Sequence, residues 1–131
     1  KIQIIAQELR KACIQFPEFN VCGKSLNVFR SVYKPRVFFV GIEKSDKLIK
    51  LKEKVEKILS EFGYIPETRE FRPHITIGRT KRIKDINNLK QVIKKYRNEF
   101  VIDINVKSII FYESKLTDNG AVYNVLSEIN F

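Results

Sequence analysis

The chain reads as an α+β protein, and three observations carry that reading. Apolar residues recur at helical spacing in three separated stretches, and strand-like runs lie between and after them. No regular strand–helix–strand period of a doubly wound sheet links the two kinds of segment. A strong turn signal near the end joins two strands directly, as antiparallel neighbours are joined.

Taken in order, Ile2, Ile5, Ala6, Leu9, Cys13 and Phe16 mark an amphipathic helix over residues 1 to about 15, which Pro17 stops. Residues 19–29 are β-prone, and Cys22-Gly23 predicts a bulge or tight bend within them. Arg36 to Ile42 is a short apolar run of the kind that forms a buried strand. Ser45 can cap a helix whose stripe is Leu48, Leu51, Val55, Ile58, Leu59 and Phe62, with Gly63 at the C-cap position. Residues 71–79 read as a strand with Pro73 near its start, where a missing donor does least harm. Asp85 can cap a third helix carrying Ile86, Leu89, Ile93 and Tyr96. Phe100, Ile102, Ile104 and Val106 then alternate as a strand, but the parity flips by Ile109 and Phe111, so a bulge or break is expected near Lys107-Ser108. Thr117-Asp118-Asn119-Gly120 turns the chain into a last strand, Val122 to Ile129.

At 131 residues the chain fits one domain, and its 44% apolar content suits a packed core rather than disorder. A formal net charge of +10 has two readings: a polyanionic partner, nucleic acid ahead of membrane, or a solvated Lys-rich surface. No run of about 18 apolar residues is present to span a membrane, no signal-peptide pattern opens the chain, and a cytoplasmic protein is expected. Cys13 and Cys22, with a single His elsewhere, do not supply the four ligands of a zinc site. Reduced thiols without a catalytic role are expected of them, and neither a metal nor a cofactor is called for. The chain holds no Met and starts at Lys1 inside a helical pattern, so the natural protein is expected to extend upstream.

The chemistry concentrates in Phe71-Arg72-Pro73-His74-Ile75-Thr76-Ile77-Gly78-Arg79, which holds the only histidine. On a strand His74 and Thr76 share a face roughly 7 Å apart, and Ile75 and Ile77 are expected to point into a core. An imidazole beside a hydroxyl and guanidinium groups suits a phosphoryl group: one moves a proton, one bonds a non-bridging oxygen, and one pairs with the anion. Arg79 falls on the opposite parity from His74, so strict pleating turns it away unless Gly78 permits a bulge. Arg72 shares His74's parity at the flank. Lys81, Arg82 and Lys84 continue the basic stretch, either gripping an RNA backbone or lying solvated in a loop. Tyr33 and Phe39 can stack on a base, but the core is the expected place of Phe39.

The stretch resembles the His-x-Thr-x motif of the 2H phosphoesterases, and its fuller wording resembles their RNA 2′,3′-cyclic phosphodiesterase branch, once called 2′-5′ RNA ligase. Other segments match that branch in order: Pro35-Arg36-Val37-Phe38-Phe39-Val40-Gly41, then Phe62-Gly63-Tyr64, and lastly Tyr112-Glu113-Ser114-Lys115-Leu116 with Gly120-Ala121-Val122-Tyr123. The resemblance covers the chain from about Tyr33 to its end. It implies a bilobal fold of antiparallel sheets with helices packed outside, each lobe supplying one His-x-Thr-x. Only the second motif is present, so the first lobe is expected to be incomplete. A strand–helix–strand unit of on the order of 30–45 further residues would supply the rest.

The implied reaction is metal-free hydrolysis of a 2′,3′-cyclic phosphate end of RNA. One His takes a proton from water and the other protonates the leaving ribose oxygen. His74 and Thr76 are the catalytic candidates, with Arg79, Arg72 and Lys81 on the substrate. Tyr123 would face the motif. Two other readings stand beside this one: a non-catalytic RNA-binding module of the same fold, and a related 2H enzyme acting on 2′-5′ linked oligonucleotides. An exposed sheet edge in an incomplete lobe would also favour self-association.

Overall fold

The computed structural model describes residues 1–29, 37–79, 84–97 and 101–131. Among the described residues three helices and six strands run in the order α1 (Ile2–Cys13), β1 (Phe19–Phe29), β2 (Val37–Ile42), α2 (Asp46–Glu61), β3 (His74–Arg79), α3 (Ile86–Tyr96), β4 (Val101–Val106), β5 (Ser108–Thr117) and β6 (Gly120–Asn130). The α+β class holds, with every registered strand pair antiparallel. Tyr33, Pro35, Arg36, Lys81, Arg82 and Phe100 lie outside the described residues.

The chain divides into two compact units. The helical unit takes in α1, α2 and the β5–β6 hairpin. Its α1 packs on both α2 and β6. Ile5, Ala6, Leu9, Cys13, Leu51 and Ile129 are its most deeply buried side chains, and each large aliphatic one contributes roughly 1.5–3 kcal/mol by leaving water. The predicted stripe of α2 is the buried or half-buried side of that helix. Gly63 ends it with a φ of 90°. There the Tyr64 N–H donates to the Leu59 carbonyl (3.2 Å) and the Gly63 N–H to that of Ser60 (3.0 Å), the paired bonds of a Schellman cap. Gly120 follows the two-residue turn with a φ of 113°, the left-handed place that a glycine fills cheaply.

The sheet unit holds β1 to β4 and α3, with strand order β3-β2-β1-β4. Asp85 caps α3, its carboxylate accepting from the Asn88 N–H at 3.0 Å, and Ile93 is 1% exposed. The bend expected near Cys22-Gly23 is present: pairing with β2 slips between Gly23 and Leu26, and Ser25 inside the slip has a φ of 79°. Gly23 sits tightly against Val40, where an added Cβ would come 3.3 Å from Val40 Cγ1.

Two expectations need correction. The β2 run is not a buried strand throughout: Val40 is buried, while the other five residues are half-buried. Nor do Ile75 and Ile77 enter a core, being 36% and 60% exposed. Among the described residues their strand is the edge of its sheet, and an edge strand has a neighbour on one side only. The break near Lys107 separates more than two strands, since β4 belongs to the four-stranded sheet and β5 to the hairpin.

Candidate active site

The site is built on β2 and β3. His74 pairs with Gly41, Ile75 with Val40, and Thr76 with Phe39; then Gly78 pairs with Phe38 and Arg79 with Val37. Ile77 is therefore an extra residue on β3, opposed by nothing on β2. Directly paired residues share a face. Val37, Phe39 and Gly41 alternate regularly, so His74, Thr76 and Arg79 lie on one face of the sheet. The bulge at Ile77 turns Arg79 to that side, where unbroken pleating would have placed it behind. Gly78 is not the extra residue, and its φ is not positive.

His74 is exposed, and its ring is held from two directions. Its Nδ1 lies 2.6 Å from the carbonyl oxygen of Arg72. A carbonyl only accepts, so Nδ1 carries the proton and Nε2 is the nitrogen left to take one. Phe29 and Phe39 meet the imidazole edge to face, with ring centroids 4.9 and 5.5 Å away. The two phenyl rings stack on each other at 4.1 Å. Phe39 is thus a half-buried wall of the site face rather than a core residue, contrary to the sequence expectation. The register explains this, because Phe39 pairs with Thr76 while its neighbour Val40, 1% exposed, takes the core side.

Phe29 was missed by sequence reasoning. Its parity is set after the irregular Gly23–Leu26 step, and no alternation pattern survives that step to reveal it. The signal that finds it is the pairing of Phe29 with Val37, which puts it on the face of Arg79.

Arg72 contributes its backbone carbonyl to His74, while its guanidinium meets Glu70 at 3.5 Å in an exposed pair. Lys84 is exposed at the start of the turn before α3. Among the described residues no group of three or more His, Cys, Asp or Glu side chains is placed to hold a cation. Both cysteines are free. Burial pushes the Cys13 thiol up, with Lys54 opposing, and desolvation followed by Glu43 and Asp103 does the same at Cys22. Neither thiol is activated as a nucleophile. No helix among the described residues is long and apolar enough to cross a membrane.

A face carrying one imidazole with a free Nε2, one hydroxyl and one guanidinium can bind a phosphate oxygen and move a proton beside it. Comparison with known proteins gives the family and the fold. The model of a family described as the 2′-5′ RNA ligase superfamily matches residues 2–117. The chain is 37% identical over 132 residues to an RNA 2′,3′-cyclic phosphodiesterase of Thermotoga maritima, covering 100% of this chain and 68% of that protein. It is 32% identical over 121 residues to one of Aeropyrum pernix, covering 92% and 69%. The fold is similar to that of the Thermus thermophilus protein TT0787 (TM-score 0.71, 22% identity, 95% of this chain and 66% of that one). It is also similar to E. coli LigT complexed with 3′-AMP (TM-score 0.69, 18% identity, 98% and 67%). The chain thus spans about two thirds of the length of these relatives.

Proposed function

The chain belongs to the 2′-5′ RNA ligase superfamily, and from that premise we propose that it carries one half of the catalytic apparatus of an RNA 2′,3′-cyclic phosphodiesterase. The observation that carries the reading is the bulge at Ile77, which gathers His74, Thr76 and Arg79 on one face. The names of the relatives supply the substrate class: RNA ending in a 2′,3′-cyclic phosphate.

In this reading water attacks phosphorus, the bond to one ribose oxygen breaks, and a phosphomonoester remains. Nε2 of His74 acts on one side of the phosphorus. It accepts a proton from the attacking water when neutral, or gives one to the leaving oxygen when protonated. The Arg72 carbonyl and the two phenyl rings hold the imidazole so that Nε2, not Nδ1, meets the substrate. Thr76 donates its hydroxyl hydrogen to a non-bridging oxygen, and Arg79 pairs with the charge that builds on the phosphoryl group. The second histidine is assigned to a matching motif upstream of Lys1, completing one domain with the residues described. Arg72 and Lys81 are assigned to the flank of the substrate.

His74→Ala in the full-length protein is expected to lower hydrolysis of a short RNA with a 2′,3′-cyclic phosphate end by about 10²–10⁴-fold. Circular dichroism should be unchanged, since His74 is an exposed edge-strand residue. Turnover at the wild-type rate would remove His74 from the mechanism. The same assay on a 2′-5′ linked dinucleotide distinguishes the related activity, which His74 would serve with the same chemistry.

A further inference from the structure

The helical unit carries a charged surface that the phosphodiester chemistry does not use. Lys47, Lys50, Lys54 and Lys57 recur on one side of α2 at intervals of three and four residues, the spacing of a single helix face. All four are exposed, and none takes part in an ion pair among the described residues. Their Cα atoms cover about 15 Å of helix, roughly four nucleotides at about 3.4 Å of rise each. Glu61 lies at the far end of the stripe and Glu53 at its flank, so the positive charge is densest around Lys50 and Lys54.

Those two lysines also line a groove of about 670 Å³ with Lys11, whose floor includes Ile14, Phe16 and Pro17. Lys11 is partly spoken for by Glu8 at 2.9 Å. Ile14 is 71% exposed, so apolar surface stands open between cationic side chains. A strand of nucleic acid presents that combination, with phosphates outside and flat apolar bases inside. A bilayer surface does not, because it cannot enter a concave groove.

The geometry points to this groove and stripe as a contact of the helical unit for single-stranded RNA. The inference rests on the proposed RNA substrate, and its test does not require hydrolysis. Fluorescence anisotropy on the full-length protein would compare a 20-nucleotide RNA ending in a 3′-phosphate with a dinucleotide of the same end, across a salt series. For K50E/K54E the affinity for the 20-mer should fall at least tenfold and its ratio to the dinucleotide affinity should fall with it. The salt slope should flatten by about 1.4, from two lost contacts at about 0.7 each for single strands. K50Q/K54Q should move all three in the same direction and guards against misfolding of the reversed-charge variant.

An unchanged 20-mer affinity and slope would mean a solvated face and overturn the assignment. Equal losses on both ligands would mean an effect through the fold and overturn it too. Binding to vesicles of anionic lipid that the variants abolish, with RNA affinity untouched, would make the partner a membrane surface and would likewise refute it. Should the wild type bind RNA as described yet hydrolyse no cyclic phosphate, the function proposed above fails while this surface stands.

Discussion

Among the described residues three antiparallel pairs each carry one extra residue, and the bulges of β2–β3 and β5–β6 have opposite uses. In β2–β3 the extra residue is Ile77, and the shift collects His74, Thr76 and Arg79 on one face. In β5–β6 it is Leu126: Ser127 pairs with Phe111 while Val125 pairs with Tyr112. That shift takes Ile129 off the face of Tyr123 and Val125, which are 56% and 60% exposed, and leaves it 0% exposed. Arg10 of α1 reaches Ser127 on the same covered side at 2.8 Å. One bulge assembles polar groups in the open and the other completes a core. A bulge fixes which side chains share a face, and the residues so grouped decide whether the result is chemistry or packing.

Truncating one residue on each collected face separates the two uses. Ile129→Ala should cost about 2–5 kcal/mol, the usual range for emptying a buried aliphatic site. A fall in melting temperature with little change in the activity of the remaining folded protein would show this. Thr76→Ala should instead cost about 10²-fold in hydrolysis, as the removal of one donor to a charged phosphoryl oxygen does, with melting nearly unchanged because Thr76 is exposed. A large loss of stability from Thr76→Ala would erase the contrast.

The smallest effect belongs to a pair outside both sheets. Glu67 accepts from the side chain and backbone of Arg69, which hold its carboxyl down at about 2. A depressed carboxylate favours the folded state above its ordinary range and loses that contribution as pH falls toward 2. The pair is fully exposed, so solvent screens it. Arg69→Ala should raise the Glu67 titration seen by carboxyl NMR while leaving melting at neutral pH and hydrolysis unmoved.

Much of this was legible in the sequence. Helical spacing located all three helices, and the capping roles of Gly63 and Asp85 were readable because each depends on one residue's local chemistry. The shared face of His74 and Thr76 followed from strand period alone. What the chain did not display was register. Val37 to Ile42 is apolar at nearly every position, so nothing in it says that Phe39 faces the site and Val40 the core. Edge position is equally hidden, which is why Ile75 and Ile77 read as core residues. The redirection of Arg79 was anticipated as a bulge, but its location at Ile77 rather than Gly78 emerged only from the pairing with Phe38 and Phe39.

The placement of Arg79 on the face of His74 is the claim on which the rest depends. The most direct test is steady-state hydrolysis of a cyclic-phosphate dinucleotide by full-length Arg79→Ala, read alongside the imidazole NMR signals of His74. Losing one charge-assisted contact of about 1.5–3 kcal/mol should lower kcat/KM by roughly 10- to 150-fold, with the His74 signals of the free protein unchanged. Turnover at the wild-type level would contradict the account, because Arg79 would then stand on the site face without touching the phosphate.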